Sequence, residues 1–447
     1  KKFFFISWNL GPVVKSVLCF CIFIMKNIHF IYFLFITQMC YCKNVQKRGG
    51  YILTNFCQRL HIEILVSALG KAGAVRRLEI QWEYAPNNPG DWIGLFNSDP
   101  LNYNDNLLEV LPVTSIHGWT NTSIFENHLE PSKLGYQGRC LDYYAGYFDI
   151  SNNTLAVTCL RIEPTWMWNL KQEIGPKKLK NVFLPGSHDS AAYEEYEENL
   201  RNTRVRKYSI TQDETVLAQL IYGIRYIDLR VGYYSGNNEQ WWANHGVVRI
   251  HPLRIVLNDI KTFINNTNEI VILDVQEFPV GFTSIDIHYL LVNFLENELN
   301  DLYVPNLGWD ATLDEVWKTG KKLIVGYDKR EIAVQFNFLW YSVQQKWGNV
   351  QSINKLYSYL SGLIARPPFE SWSAMAELTP TTLDIILDRL KGLRVMAESV
   401  NHNVTEWFRQ KDWQTKSNIV TVDFFRNTGI IRSAIEWNKN HGNCPGY

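Results

Sequence analysis

The stretch IRYIDLRV, residues 224–231, decides the fold of this chain. It is an apolar β-run, and it is followed by a segment in which apolar residues recur at i, i+3, i+4 and i+7 from Leu253 to Ile264. Pro252 marks the start of that segment, as proline often does at the first turn of a helix. A strand followed by an amphipathic helix is the repeating unit of a parallel α/β sheet.

The same alternation of strand and helix continues on both sides of this unit. Further apolar β-runs are at residues 182–184, 270–275, 323–327 and 419–424, and further helices are predicted at residues 287–299, 353–364, 382–410 and 429–438. Alternation of this kind over about 270 residues favours an α/β barrel, which we predict for residues 164–447.

Residues 50–163 predict a small all-β domain instead. His61–Val66 and Arg77–Glu83 alternate between apolar and polar residues, and Thr154–Ile162 closes the region. Short strands over about 110 residues fit a β-sandwich. The segment LEIQWEYAPNNPGDWIGLF, residues 78–96, resembles the "DWIGLF" strand of immunoglobulin-like and SKICH modules. That resemblance supports the sandwich and implies no activity.

The composition excludes several classes of protein. Apolar residues are 46% of the 447 residues and charged residues 20%, values that suit a chain with a buried core and exclude a disordered chain, a collagen-like rod or a multi-span membrane protein. Lys plus Arg and Asp plus Glu are both 44, so the net charge is zero. A nucleic-acid-binding domain usually carries a basic excess, and we therefore expect no nucleic-acid partner.

Residues 1–42 are interpreted as a leader. Met25 and Lys26 precede an apolar run at residues 28–36, and smaller residues follow up to Cys42, which is the layout of a secretory signal peptide. The alternative is a membrane anchor at residues 17–39, in which Lys26 would lie mid-span at a cost of about 3 kcal/mol. We expect a secreted or extracellular protein, with the anchored form as the alternative.

Two further features agree with export. Glycosylation sequons occur at Asn121, Asn152, Asn265 and Asn403. Four cysteines lie beyond the leader, an even number compatible with two disulfides, and we predict a bridge between Cys140 and Cys159 because both flank strand-like runs in one small region. The chain shows no zinc-binding arrangement of cysteine and histidine.

Polar residues end several of the predicted strands. They are His188 and Asp189 after the first strand, Asp228 and Arg230 on the second, His245 at the end of a third strand WWANHG, and Asp423 in the last strand IVTVDFF. The carboxyl ends of barrel strands meet at one mouth, where barrel active sites are built. Each residue alone has a plainer interpretation, such as a solvated histidine, an ion pair between Asp228 and Arg230, or a helix cap at Asp423. Four such elements on four strands favour a site.

These residue types suit the transfer of a phosphodiester. A neutral histidine removes a proton from an attacking hydroxyl, and a protonated histidine supplies one to the leaving oxygen. An arginine binds the phosphoryl oxygens as negative charge builds on them. Aspartates orient the histidines and select the useful tautomer.

Four segments of the chain resemble the X-domain of phosphatidylinositol-specific phospholipase C (PI-PLC). They are NVFLPGSHDSAAY, QLIYGIRYIDLRV, WWANHG and IVLNDIKTFINNTNEIVILDVQEF, with KKLIVGYD and NIVTVDFF as later landmarks. The pattern is most similar to the PI-PLC X-domain-containing proteins that are related to the bacterial enzymes. The resemblance implies a distorted TIM-type barrel and a hydrolase that cleaves a phosphatidylinositol-like lipid.

The resemblance also implies a role for each polar residue. His188 would be the general base with Asp423 as its orienting carboxylate, and His245 the general acid. Arg230 would contact the phosphate, supported by Asp228 and by the neighbouring Asp189. The inositol 2-hydroxyl attacks phosphorus, diacylglycerol leaves, and a cyclic 1,2-phosphate forms, which water then opens.

The resemblance also bears on whether the reaction needs a metal ion and on which lipid headgroup is bound. Calcium-dependent relatives place acidic ligands where this chain has Arg230, a fixed cation, and Gln276 falls near a later glutamate of theirs, so we predict metal independence and no cofactor. Tyr327, Trp347 and Asn349 are candidates for contacting the headgroup. The headgroup itself is left open between phosphatidylinositol, its phosphorylated forms and glycan-linked (GPI) forms, each at a membrane surface.

Two alternatives remain. One is a phosphoinositide-binding or membrane-binding module with little or no turnover. The other is a metal-dependent barrel of the glycerophosphodiesterase or sphingomyelinase D type, which needs an acidic magnesium cluster near the first histidine and accommodates Arg230 poorly.

Overall fold

A computed structural model describes residues 19–21, 40–42, 59–70, 76–100, 106–127, 129–193 and 204–440. The chain divides into two compact units, Lys1–Phe56 and Cys57–Tyr447. In the first unit, Cys19–Cys21 pairs antiparallel with Cys40–Cys42. The predicted signal peptide and the alternative anchor otherwise lie outside the described residues. Among the described helices, none has both the length and the apolar character needed to cross a bilayer.

Seven strands at the start of the second unit form two antiparallel sheets. They are β1 (His61–Val66), β2 (Arg77–Glu83), β3 (Trp92–Phe96), β4 (Leu107–Pro112), β5 (Gly118–Phe125), β6 (Arg139–Phe148) and β7 (Thr154–Ile162). One sheet has the order β1-β2-β5 and the other β4-β3-β6-β7. A disulfide joins Cys140 on β6 to Cys159 on β7, as predicted. The expected small all-β sandwich is confirmed.

Ten strands form the sheet that follows. They are β8 (Leu184–Ser187), β9 (Tyr226–Tyr233), β10 (Trp241–His245), β11 (Val248–Pro252), β12 (Val271–Val280), β13 (Leu323–Tyr327), β14 (Leu339–Tyr341), β15 (Gln344–Trp347), β16 (Trp372–Met375) and β17 (Ile419–Val422). Eight of them run parallel in the order β14-β13-β12-β9-β8-β17-β16-β15. Among the described residues no pairing joins β14 to β15. The expected distorted TIM-type barrel is confirmed, with its distortion at this break.

The helices lie in the segments that connect or follow the strands of the two domains. They are α1 (Pro131–Leu134), α2 (Trp166–Asn169), α3 (Lys171–Ile174), α4 (Arg204–Lys207), α5 (Val216–Tyr222), α6 (Leu253–Asn266), α7 (Ile285–Leu299), α8 (Leu313–Lys318), α9 (Arg330–Ala333), α10 (Ile353–Ala365), α11 (Thr382–Leu387), α12 (Leu393–Trp407), α13 (Lys411–Lys416) and α14 (Ile430–Lys439). The predicted single helix at residues 382–410 is wrong. It is interrupted between α11 and α12, where Asp388, Lys391 and Gly392 have positive φ angles that a helix excludes.

The segment WWANHG is not a barrel strand, contrary to the sequence prediction. β10 pairs antiparallel with the far end of β9 and then with β11, so it forms a hairpin at the carboxyl edge of the barrel. His245 therefore reaches the barrel mouth from this hairpin.

Side chains on the barrel strands alternate between two apolar layers. Tyr226 on β9 packs with Ile272 and Ile324 in the barrel interior. Ile227 and Leu229 face outward, into a core that also contains apolar residues of α6 and of the β-sandwich. The same alternation directs Asp228 and Arg230 inward, because successive side chains of a strand point to opposite faces.

A polar network occupies the break between β14 and β15, which we call the seam. The backbone N–H of Val343, in the link between the two strands, donates to Oδ2 of Asp274 at 2.9 Å, and its carbonyl accepts from Nε2 of Gln276 at 2.8 Å. The hydroxyl of Tyr226 also donates to Asp274, at 2.9 Å. On the neighbouring strand Gly326 is required, since a Cβ there would lie 2.1 Å from Oδ1 of Asp274. Side-chain hydrogen bonds thus replace the missing strand pairing.

We expect Asp274→Ala to destabilise the protein by about 2–5 kcal/mol, because it leaves the Tyr226 hydroxyl and the Val343 N–H buried without their acceptor. The free energy of unfolding in urea at pH 7 measures this. Ser342→Ala is the matched control, since it removes an exposed hydrogen bond to Asp328 from the same link, and surface changes of this kind usually cost less than about 0.5 kcal/mol. Equal stabilities of the two variants would contradict a structural role for the network.

Candidate active site

The parallel register of three strands brings the predicted site residues together. Ser187 at the end of β8 pairs with Ile227 of β9 on one side and with Val422 of β17 on the other. The next residue of each strand is therefore His188, Asp228 or Asp423, and these three side chains gather at the carboxyl edge of the barrel.

His188 lies between a carboxylate and a guanidinium. Its Nδ1 lies 2.6 Å from Oδ1 of Asp423, and its Nε2 lies 2.8 Å from Nη2 of Arg230. Because arginine can only donate, Nε2 accepts and the ring proton of the neutral imidazole is on Nδ1, where it donates to Asp423. This is the tautomer that a general base needs, with its lone pair on the nitrogen that faces the mouth.

Arg230 is the cation among three carboxyl groups, of which Asp189 and Asp228 are buried and Glu277 is exposed. Its guanidinium nitrogens lie 3.6 Å from Asp189, 3.5 Å from Asp228 and 3.6 Å from Glu277. Burial alone would lower the pKa of Arg230, but Asp228 and Asp189 outweigh it and raise the pKa, which keeps the guanidinium charged.

His245 faces His188 across the mouth. The two ring centroids lie 6.0 Å apart with the ring planes nearly perpendicular. Nδ1 of His245 donates to the carbonyl oxygen of Ser209 at 2.8 Å, which leaves Nε2 as the atom that can exchange a proton with a bound molecule.

The charges of the site disfavour protonation of both histidines in the free protein. Burial and then Arg230 lower the pKa of His188 to about 3. Burial, Arg230 and then His188 lower the pKa of His245 to about 4. Burial also raises the pKa of Asp423 to about 8. A bound anion such as a phosphodiester would offset Arg230 and favour the imidazolium forms.

The backbone turns sharply after each member of the His188–Asp423 pair. Asp189 has φ +35° and Phe424 has φ +46°, in the left-handed region that non-glycine residues rarely adopt. Hydrogen bonds hold both residues in place: the N–H of Asp189 donates to Oδ2 of Asp228 at 2.9 Å, and the N–H of Phe424 donates to the carbonyl of Thr211 at 2.7 Å. The surrounding structure therefore maintains the strained conformation.

The three candidate headgroup residues lie in different places. Trp347 lies at the site, with its ring centroid 5.1 Å from that of His188 and 5.5 Å from Cζ of Arg230. Tyr327 is fully buried on the outer side of β13, where its hydroxyl hydrogen-bonds Nδ1 of His288 on α7 at 2.9 Å. Asn349 is exposed in the loop after β15 with φ +48°. The structure brings Trp347 to His188 and Arg230 and places Tyr327 on the outer side of the barrel.

Three residues that contribute to the site were not predicted from the sequence. Glu377, just after β16, is buried, and neither of its carboxyl oxygens has a hydrogen-bond partner among the described residues. Burial and then Asp423 raise its pKa well above the usual value. Ser209 acts through its backbone carbonyl, and Gln212 donates to the carbonyl oxygens of His188 and Val422. Of the three, only Glu377 leaves a signal in the sequence, because it is an acidic residue that follows a strand. That strand, β16, was itself not predicted.

Among the described residues, no group of three or more histidine, cysteine or acidic side chains is arranged to hold a metal ion.

The chain is similar to several curated proteins, although no protein-family model matches it. PI-PLC X domain-containing protein 1 of Mus musculus is 24% identical over 339 residues, covering 69% of this chain and 97% of that protein. The Homo sapiens protein of the same name is 25% identical over 319 residues (66% and 98%), and PI-PLC X domain-containing protein 3 of Mus musculus is 28% identical over 302 residues (61% and 92%). The chain is a homologue of the PI-PLC X domain-containing proteins.

This homology confirms the resemblance predicted from the sequence. A solved structure of the phosphatidylinositol-specific phospholipase C of Staphylococcus aureus is also similar, at 15% identity and a TM-score of 0.47, over 63% of this chain and 98% of that one.

The electrostatics of the site make a prediction about its two histidines. Arg230→Gln removes a positive charge that lowers the pKa of both His188 and His245, so both pKa values should rise. Two-dimensional NMR of the ¹⁵N-labelled histidine rings, followed from pH 3 to 8, measures each pKa. His251 shows no contact with Arg230 and hydrogen-bonds the carbonyl of Tyr193 instead, so it is the internal control. Unchanged values for both site histidines in a folded variant would contradict this account of the site.

Proposed function

We propose that this protein is a phospholipase C-like phosphodiesterase that cleaves a phosphatidylinositol-like lipid at a membrane surface. The observation that carries the proposal is the arrangement of His188 between Asp423 and Arg230, with His245 facing it across a 6.0 Å gap between ring centroids. Two histidines that face each other beside a phosphate-binding cation can supply the base and the acid of an in-line displacement.

In the first step His188 acts as the general base. Its Nε2 takes the proton of the inositol 2-hydroxyl, the hydroxyl oxygen attacks phosphorus, and the imidazolium that forms is stabilised by Asp423 at Nδ1. Arg230 binds the phosphoryl oxygens and offsets the charge that builds on them.

His245 acts as the general acid on the other side of phosphorus. The bond from phosphorus to the glycerol oxygen breaks, and Nε2–H of His245 protonates that oxygen, so diacylglycerol leaves and inositol 1,2-cyclic phosphate remains. The carbonyl of Ser209 accepts from Nδ1 in both protonation states of the ring, which keeps Nε2 directed at the leaving oxygen. Water then opens the cyclic phosphate with the histidine roles reversed.

Arg230 has a second task in this scheme. In the free protein it donates to Nε2 of His188, the atom that must accept the proton. A bound phosphodiester competes for the guanidinium, so substrate binding itself uncovers the base. The same bound negative charge favours the protonated form of His245, whose pKa is otherwise lowered to about 4.

Trp347 and Glu377 are the side chains that we propose for headgroup recognition. Trp347 presents an aromatic face beside Arg230 and His188, and a sugar-like ring can stack on such a face. Glu377 is buried with both carboxyl oxygens lacking hydrogen-bond partners within the described residues, and inositol hydroxyls can supply them. We further propose that Arg230 serves in place of a metal ion.

Release of water-soluble inositol phosphate from phosphatidylinositol vesicles in excess EDTA tests three points together: the phosphodiesterase activity, the role of His188 as the general base, and the independence of a metal ion. Wild type should release product in EDTA, and His188→Ala should lower the rate at least about 100-fold because general-base catalysis is lost. His251→Gln is the matched control, a histidine of the mouth hairpin that hydrogen-bonds only the carbonyl of Tyr193 among the described contacts.

Other outcomes separate the alternatives. Activity that EDTA abolishes and magnesium or calcium restores would favour a metal-dependent barrel. Vesicle binding without any release would favour the binding module.

For an active wild type, kcat/KM against pH should be bell-shaped with both limbs below pH 6.5, because both histidine pKa values are lowered. A profile that is flat from pH 5 to 8 with chemistry limiting would contradict the two-histidine mechanism.

Apolar side chains at the barrel mouth support action on a lipid surface. α11 follows β16 directly, and its Leu383, Ile386 and Leu387 are each about half exposed, at 50%, 56% and 52%. Val247, in the turn of the hairpin that carries His245, is 81% exposed. Arg204 of α4 donates to the carbonyl of Ile386 at 2.7 Å and so fixes α11 at this edge. Apolar residues grouped in this way are typical of surfaces that contact a membrane.

We expect the double variant Ile386→Ser, Leu387→Ser to bind phosphatidylinositol vesicles at least about tenfold more weakly, since each side chain contributes of the order of 1 kcal/mol when buried in lipid. Vesicle pelleting measures the binding. Leu290→Ser is the control, because Leu290 is similarly exposed (48%) but lies on α7 outside the barrel. Hydrolysis of soluble inositol 1,2-cyclic phosphate by the double variant should stay unchanged. Equal vesicle binding of the double variant and Leu290→Ser would contradict the proposal that α11 contacts the membrane.

We also propose that the protein is exported. The proposal rests on the predicted leader and on the sequons, of which Asn121, Asn152 and Asn265 are exposed and Asn403 is partly buried. The Cys140–Cys159 disulfide agrees with an oxidising compartment.

A further inference from the structure

A buried cluster of charges joins the β-sandwich to the barrel. It consists of Arg76, Glu126, Asp213, Glu214 and Arg426, which we call the sandwich–barrel ion cluster. Arg76 and Glu126 lie at adjoining ends of β2 and β5 in the sandwich, and the other three belong to the barrel. The side chains of four members are only 3–6% exposed, and Asp213 is 15% exposed.

The cluster is closely bonded. Arg76 contacts Glu126, Asp213 and Glu214 at 2.8, 2.8 and 2.5 Å. Arg426 contacts both oxygens of Glu126 at 3.1 and 2.6 Å and Glu214 at 2.8 Å. The carboxylates outweigh burial and raise the pKa of Arg76 and of Arg426, so both stay charged. Glu126 accepts from both arginines, and the sandwich is bonded to the barrel through Glu126 to Arg426 and through Arg76 to Asp213 and Glu214.

The barrel members of the cluster lie in the two segments that orient the active site. In residues 209–214, Ser209 accepts from His245, and Gln212 donates to the carbonyls of His188 and Val422. In residues 423–427, Asp423 is the partner of His188, and Arg426 is three residues further on. The two segments also bond to each other, as Phe424 N–H donates to Thr211 and Phe425 N–H donates to Gln212.

These segments carry strain that needs external support. Phe424 has φ +46°, directly after Asp423, and such a conformation persists only where surrounding contacts determine it. On one side the support is Asn401, whose Nδ2 donates to the carbonyl of Asp423 at 3.0 Å. On the other side it is the ion cluster, which fixes Glu214 and Arg426 to a rigid sheet of the sandwich.

We propose that the β-sandwich is a positioning element of the active site, with Glu126 and Arg76 as positioning residues that act through Arg426 and Glu214 on His188, Asp423 and His245. This inference rests on the proposed function. It gives the sandwich a task within the reaction, because without the sandwich carboxylate and arginine the buried charge of Arg426 loses Glu126 as a partner and that of Glu214 loses Arg76.

Glu126→Gln tests the proposal, since it keeps the shape of the side chain and removes its charge. Glu63→Gln is the matched control: Glu63 is also a buried sandwich carboxylate, it also pairs with a barrel arginine, Arg409, and neither residue bonds to the two segments among the described contacts. Urea midpoints compare the stability of the two variants, and hydrolysis of soluble inositol 1,2-cyclic phosphate compares their catalysis. A third readout is the downfield proton NMR signal of Nδ1–H of His188, which reports the 2.6 Å bond to Asp423 without requiring turnover.

Glu126→Gln should lower kcat at least tenfold with KM within twofold, and should shift or broaden the Nδ1–H signal. Glu63→Gln should keep kcat within twofold and leave the signal in place, even at an equal loss of urea midpoint. Equal kcat losses in both variants, or an unchanged kcat and signal in Glu126→Gln, would overturn the proposal. If Glu126→Gln does not fold, Arg76→Lys is the second variant, with the same criteria. An inactive wild type would count against the proposed function alone, because the NMR comparison still decides the positioning role.

Discussion

The site depends on one constraint, the parallel register that holds β8 between β9 and β17. Ser187 pairs with Ile227 and with Val422, so the three strands end at the same level and deliver His188, Asp228 and Asp423 to one point. A shift of one residue in any of these strands would turn its polar side chain to the outer, apolar layer. The register is set by apolar residues on both faces of the strands, which are buried almost completely. The hydrophobic core therefore determines the geometry of the polar site.

The burial of the site then determines which of its residues are charged. One guanidinium, that of Arg230, is surrounded by the carboxyl groups of Asp189, Asp228 and Glu277, and two neutral histidines complete the group. In such surroundings a histidine resists protonation, which suits a base but not an acid. In the proposed function, an incoming phosphodiester would change this balance, because it would neutralise Arg230, release Nε2 of His188 and make protonation of His245 easier. The same low dielectric that penalises charges in the free protein would strengthen their interaction with such an anion.

Much of this could be predicted from the sequence, because long apolar runs and helical periodicity are local signals. The α/β barrel, the sandwich and the six polar residues of the mouth all followed from such signals and from the resemblance. The strands β14, β15 and β16 did not, since LWY, QQKW and WSAM are short, lack alternation and become strands only through long-range pairing. Glu377 was missed together with β16, and Ser209 acts through a backbone atom that no side-chain pattern indicates. Tyr327 shows the limit of strand-end arguments: the pairing of Gly326 with Asp274 puts Gly326 inside and Tyr327 outside, and that register cannot be read from one sequence.

The break in the barrel, like the β-sandwich, is connected to the candidate active site. At the seam, Gln345 donates to the hydroxyl of Tyr226 at 3.2 Å, and its Oε1 accepts from the indole of Trp347 at 3.0 Å. A chain of hydrogen bonds thus runs from Asp274, which bridges the seam, to the ring that lies beside Arg230 and His188. The sandwich–barrel ion cluster bonds to the two segments that contain Ser209 and Asp423, the hydrogen-bond partners of the two histidines. β15 is paired with β16 on one side only, so the position of the Trp347 ring also depends on these partly buried side-chain hydrogen bonds. Such bonds are directional and costly to leave unmade, so they can fix an aromatic ring as firmly as a strand would.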